Sequence, residues 1–182
     1  MSRIATPASI DEAPEGSRAL LENVKKAVGQ VPNLYRLTAQ SPAALEGMLS
    51  FSGALGKGVL DAATRERIAL AVAQITGCDY CLAAHSFLAK NVAKLDDAEI
   101  EANRRGGSAD AKADAAVKFA IAVVEARGSA PADAVEAART AGHSDAELVE
   151  IVAHVALNTF TNYMNEAFVT AVDFPVAKDL VA

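Results

Sequence analysis

Residues 61–85 read DAATRERIALAVAQITGCDYCLAAH, and the fold class turns on this stretch. Asp61 suits a helix N-cap, where its carboxylate can take an unpaired N–H of the first turn. Ile68, Val72 and Ile75 then recur at helical spacing up to Gly77, a residue fitted to the left-handed position that closes a helix. The sequence therefore predicts one helix from Asp61 to about Thr76 and another from near Cys78 to about Lys94. Nothing alternates with period two for long enough to predict a strand.

The same signals repeat outward. Ser41-Pro42 reads as cap and first turn of a helix carrying Leu45, Met48, Leu49 and Leu55, ended by Gly56 and Gly58. Upstream, Ser17–Gly29 reads as a short helix, and Pro32 argues against an early restart. Downstream, Asp96 with Glu99 resembles a capping box for a short helix stopping at Gly106-Gly107. Helices follow over 108–127, Pro131–Ala141 and Asp145–Val172, before Asp173-Phe174-Pro175. The class is all-α: one helical domain over 18–182, preceded by an arm at 1–17 expected to be flexible unless it docks on a neighbour. A faint echo at an offset of 84 pairs Asp61 with Asp145, Glu66 with Glu150, Cys78 with Asn162 and Cys81 with Asn165.

Composition narrows the function. The 182 residues are 52% apolar and only 5% aromatic, rich in alanine and without tryptophan, which suits close-packed helices. A net charge of −6 offers no basic footprint for nucleic acid or anionic lipid. The first 17 residues lack the apolar run of a secretory signal. The apolar run 68–89 is interrupted by Gln74, Gly77, Asp79 and His85, so no membrane span is expected, and the expected location is the cytoplasm.

The chemistry is carried by Cys78-Asp79-Tyr80-Cys81. Two cysteines three positions apart share a helix face and can close into a disulfide with little backbone motion. Their place just after Gly77 sets them at a helix N-terminus, where unpaired N–H groups and the positive dipole end stabilise a thiolate. A thiolate attacks peroxide to give a sulfenic acid, which a second thiol condenses with. His85 lies one helical turn after Cys81, and the break at Gly77 lets the preceding helix bring Glu66 towards the pair. A carboxylate, an imidazole and two thiols make a proton relay ending on a nucleophile.

Blander readings stand beside this one. The cysteines could be ordinary buried helix residues. They could ligate zinc with His85, although a structural site wants four ligands and only His143 and His154 remain. His154 sits in an apolar helix, as a core histidine or a pocket-lining one. Tyr80 either packs or offers its hydroxyl to the pocket, Asn162 and Asn165 read as packing amides, and His143 reads as a solvated turn residue.

Arg65-Glu66-Arg67, Ala71-Val72-Ala73-Gln74 and Gly77-Cys78-Asp79-Tyr80-Cys81-Leu82-Ala83-Ala84-His85 closely resemble the AhpD-like alkylhydroperoxidase group. That group lies within the wider carboxymuconolactone decarboxylase superfamily. Pro32-Asn33-Leu34-Tyr35, the run Leu157-Asn158-Thr159-Phe160-Thr161-Asn162-Tyr163 and Asp173-Phe174-Pro175 resemble its peroxidase-related subgroup. The resemblance implies a single AhpD-like helical domain and a thiol-dependent peroxidase acting on hydrogen peroxide or organic hydroperoxides. It also implies Cys81 as the attacking cysteine, Cys78 as the resolving one, and Glu66 and His85 as the relay. Characterised members carry a second histidine between the cysteines, where this chain has Tyr80.

Two other readings differ in class: a lactone-acid decarboxylase, which in that superfamily works without the cysteine pair, and a non-catalytic redox sensor switched by the disulfide. The expected partners are a small hydroperoxide and a dithiol reductant, with no metal and no other cofactor. A homo-oligomer (dimer, trimer or hexamer) is expected too, with Leu34–Leu37 and Phe168–Val181 as candidate interface.

Overall fold

The computed structural model describes residues 2–178 and Leu180. Met1 at the head of the arm, and Asp179, Val181 and Ala182 at the end of the tail, lie outside the described residues. Among the described residues there are nine helices: α1 (Glu15–Val28), α2 (Asn33–Thr38), α3 (Pro42–Leu55), α4 (Ala62–Thr76), α5 (Asp79–Asn91), α6 (Asp97–Arg104), α7 (Ala111–Glu125), α8 (Ala132–Thr140) and α9 (Asp145–Phe168). No strand occurs among them, and no helix is long and apolar enough to cross a membrane.

Short polar side chains start the helices that matter. Ser41, Asp61, Asp96 and Asp110 each accept a backbone N–H three residues on. Ser144 and Glu147 close a reciprocal capping box on α9. α4 is the central element: from Ile68 to Ala73 every residue is buried, because α9, α5, α7 and α6 pack around it. On one side Ile68 and Val72 meet Ala116, Phe119, Ala120, Val123, Leu148, Ile151 and Val155 of α7 and α9. The many alanines at these contacts let helix axes approach closely. Truncating Ile68, fully enclosed at 0% exposure, to alanine should cost about 2–5 kcal/mol.

Several boundaries differ from the sequence reading. α2 was not expected; Pro32 leads into it rather than blocking a restart, since its fixed φ suits the residue before a helix. Leu37 within α2 is 1% exposed, and Leu34 is partly buried against the cluster around Cys78 and Cys81. α5 stops at Asn91, because Lys94 takes a positive φ of 61° and Leu95 N–H bonds back to Ala89 O. α9 stops at Phe168, short of Val172: Val169 is left-handed and Thr170 N–H returns to Asn165 O.

The N-terminal segment was expected to be flexible unless docked. It docks on its own chain. Arg3 N–H donates to Phe168 O at 2.8 Å and its guanidinium to Ala167 O at 2.9 Å, occupying the last carbonyls of α9. Arg36 and Gln40 hold Ala8 O and Ala5 O at 2.9 and 2.7 Å, and Ala13 is buried against α1 and α3.

Candidate active site

The junction between α4 and α5 builds the site. Gly77 adopts φ +69°, a conformation that side chains disfavour, and ends α4 in a single residue. Cys78 then serves as the N-cap of α5 in extended conformation, its sulfur accepting the Cys81 N–H at 3.4 Å. So Cys78 stands just outside the helix, and Cys81 is the third residue inside it. Both thiols are free and buried, at 0% and 2% exposure.

The two sulfurs are electrostatically unequal. The Cys78 hydrogen bond is the largest influence holding Cys81 below the ordinary thiol range; burial opposes it, and His85, Asn165 and Thr161 assist. Cys78 moves up, chiefly because it is hydrogen-bonded to Cys81, then through burial and the Cys81 charge. Cys81 is the thiol held towards thiolate and Cys78 the one kept protonated.

α4 and α5 lie side by side, and Glu66 Oε2 sits 2.8 Å from His85 Nδ1. Their side chains are 19% and 21% exposed, so the pair is neither sealed nor fully wet. Burial alone would lower the His85 pKa, but the charge and hydrogen bond of Glu66 outweigh it and the net shift is upward. The carboxylate fixes the ring and leaves Nε2 as the nitrogen with which to exchange a proton.

A cavity of about 140 Å³ opens over these groups, lined by Cys81, His85, Tyr80, Tyr35, Met48 and Phe174 among others. Cys78 does not line it. Segments far apart in sequence meet at its rim: Tyr80 Oη accepts the Leu34 N–H at 3.2 Å, and Asp173 Oδ2 accepts the Asn33 N–H at 2.8 Å. Phe174 packs edge-on against Tyr80, with centroids 5.8 Å apart at 86°. Burial, first among its causes, pushes the Tyr80 hydroxyl up, so it stays protonated.

His154 does not line this cavity. It lies one turn before Leu157 and Asn158 on α9 and is 5% exposed; burial, then the Arg65 charge, lower its pKa. His143, read from the sequence as a solvated turn residue, is buried and bonds through Nε2 to Lys112 O at 2.8 Å. Among the described residues no group of three or more His, Cys, Asp or Glu is placed to hold a metal ion. Asn165, read from the sequence as a packing amide, instead places its Nδ2 3.2 Å from Cys81 Sγ. The only advance signal was the offset of 84, which pairs Asn165 with Cys81.

The all-helical domain, with its cysteine pair at the start of α5, has the AhpD-like fold. Residues 42–126 match the family model of the carboxymuconolactone decarboxylase family, and the chain is similar to that family over this stretch. The solved AhpD-core structure of an uncharacterized peroxidase-related protein from Ralstonia eutropha JMP134 superposes with a TM-score of 0.84 at 23% identity, covering 94% of this chain and 92% of that one. The debrominase Bmp8, solved as a variant in complex with 2,3,4-tribromopyrrole, has the same fold at a TM-score of 0.78 and 18% identity, covering 95% and 94%. An uncharacterized protein of Haemophilus influenzae (strain Rd) is 42% identical over 65 residues, 35% of this chain. The chain thus spans about half (52%) of the length of the curated relative it matches.

Proposed function

We propose that the protein is a thiol-dependent peroxidase for hydrogen peroxide or small organic hydroperoxides. The observation that carries this reading is the asymmetry of the pair: Cys81 faces the cavity and is held towards thiolate, while Cys78 lies behind it, protonated. Cys81 sulfur attacks one peroxide oxygen, forming S–O and breaking O–O. The departing alkoxide or hydroxide takes a proton from the His85–Glu66 pair and leaves as alcohol or water. Cys78 sulfur then attacks Cys81, forming S–S and expelling the sulfenic oxygen as water. A dithiol supplies the two electrons that reopen the disulfide.

The cavity favours small substrates, since about 140 Å³ of space walled by Met48, Tyr35 and Phe174 suits a compact apolar group. The expected partners remain a small hydroperoxide and a dithiol. Self-association is part of the proposal: Val149, Val152, Phe160 and Tyr163 leave α9 with apolar side chains 39% to 69% exposed. Light scattering should return a mass well above the 18.8 kDa of one chain; a monomer would refute the assembly.

The functional test is turnover of tert-butyl hydroperoxide with excess dithiothreitol. The wild type should cycle, and Cys81→Ser should lose at least about 1,000-fold while remaining folded, as expected on removing the nucleophile. Equal rates in the two proteins would refute the peroxidase reading.

A further inference from the structure

Cys81 is held from two sides. From its own segment it receives the hydrogen bond of Cys78, the N-cap of α5, and His85 stands one turn on. From α9, Asn165 reaches across with its amide nitrogen 3.2 Å from the sulfur. Asn165 is 1% exposed, so no bulk water competes for that donor. Its Oδ1 has no hydrogen-bond partner, and its one side-chain bond among the described residues goes to Cys81. One turn earlier, Asn162 Nδ2 donates to Thr76 Oγ1 at 2.7 Å, and Thr76 Oγ1 donates to Val72 O at 2.8 Å. α9 is therefore fastened both to the end of α4 and to the sulfur beyond the break.

A buried amide donor is not neutral towards the two forms of a cysteine. A thiol accepts a hydrogen bond weakly, whereas a thiolate accepts one strongly, so a fixed N–H aimed at sulfur favours ionisation. We propose that Asn165 is a catalytic residue: its side-chain N–H stabilises the Cys81 sulfur as the attacking thiolate and aims it into the cavity. The claim rests on the peroxidase reading only for the reaction served. The groups facing Cys81 are Cys78, Tyr80 and His85 from its own segment, with Glu66 behind His85, and Thr161 and Asn165 from α9; Glu166 of α9 faces Cys78. Of these, Asn165 is an uncharged amide donor that keeps its proton throughout the cycle, and its nitrogen lies 3.2 Å from the sulfur.

The test is the rate of iodoacetamide labelling of Cys81 against pH in the reduced full-length protein, mapped by mass spectrometry, for wild type, Asn165→Ala and Asn165→Leu. Both variants should move the Cys81 midpoint up by about one to two pH units and slow labelling at neutral pH roughly 10- to 100-fold, the span of one hydrogen bond to a charged group. Asn162→Ala controls for lost packing: it should lower the melting temperature and leave the Cys81 midpoint in place. An unshifted midpoint in both Asn165 variants, or an equal shift in Asn162→Ala, would overturn the assignment. The readout needs no peroxide. If wild type fails to turn over peroxide yet the shift appears, the peroxidase reading falls and the role of Asn165 stands. If wild type turns over and no shift appears, the reverse holds.

Discussion

Glu66 and Arg67 are adjacent on α4, yet they enter opposite kinds of charged pair. Glu66 meets His85 of α5 at 2.8 Å beside a cavity, whereas Arg67 meets Glu99 of α6 at 2.7 Å inside a closed network. The Glu99 carboxylate is saturated: Oε1 accepts from Arg67, Asn103 and Ser108, and Oε2 from the Ala109 N–H. Burial would raise its pKa, but those hydrogen bonds outweigh it and bring it down to about 2. The Glu66–His85 pair instead keeps a ring nitrogen uncommitted and opens on space. A satisfied network cannot exchange protons without losing bonds, and an unsatisfied one at a cavity wall can. On the proposed function, the contrast separates scaffold from chemistry within two consecutive residues.

The contrast breaks most visibly at Glu66. Glu66→Gln should lower peroxide turnover by about 10²- to 10⁴-fold, roughly 3–5 kcal/mol of barrier, with little change in stability. The His85 ring titration, followed by NMR, should move down, because the carboxylate that raised it is gone. Wild-type turnover in a folded Glu66→Gln protein would reassign this pair to structure.

Glu99 should show the opposite pattern. Its folded pKa, about 2 against a reference of 4.5, lies below the unfolded value. The stabilisation is therefore fully present above pH 4.5 and is lost as pH falls towards 2, an order of about 3 kcal/mol. Urea melts between neutral pH and pH 3 should show that loss in the wild type and a much flatter dependence in Glu99→Gln. The folded variant should keep its turnover. A steep loss in Glu99→Gln, or lost activity in its folded fraction, would blur the division between the two pairs.

A smaller effect is expected at the rim. Tyr80→Phe removes the acceptor of the Leu34 N–H, which should cost about 1 kcal/mol of stability. Turnover should fall less than tenfold, since burial holds the Tyr80 hydroxyl protonated. A larger loss would give Tyr80 a proton-transfer role in place of the histidine found there in characterised AhpD enzymes.

Much of the fold was legible because its helices are announced locally. Asp61, Ser41 and Asp96 are caps, Gly77 is a terminator, and the apolar spacing between them is helical. α2 was not legible, having only six residues and being held by Asp173 and Tyr80 from remote segments. The approach of Glu66 to His85 could be anticipated from one break between two helices. Asn165 could not, because 84 residues separate it from Cys81 and only the packing of α9 on α4 and α5 brings it there. Of the two readings open for His154, the structure bears out the core one: its helix supplies the cavity wall, but one turn further on.

The central claim is that Cys81 reacts first and Cys78 resolves it. The direct measurement is to add one equivalent of hydrogen peroxide to the reduced protein, count the remaining thiols and map the products by mass spectrometry. The account predicts loss of both thiols with formation of a Cys78–Cys81 disulfide, and a sulfenic acid trapped at Cys81 when Cys78→Ser is treated alike. Two free thiols after treatment, over-oxidation without a disulfide, or trapping at Cys78 in the Cys81→Ser protein alone would contradict it.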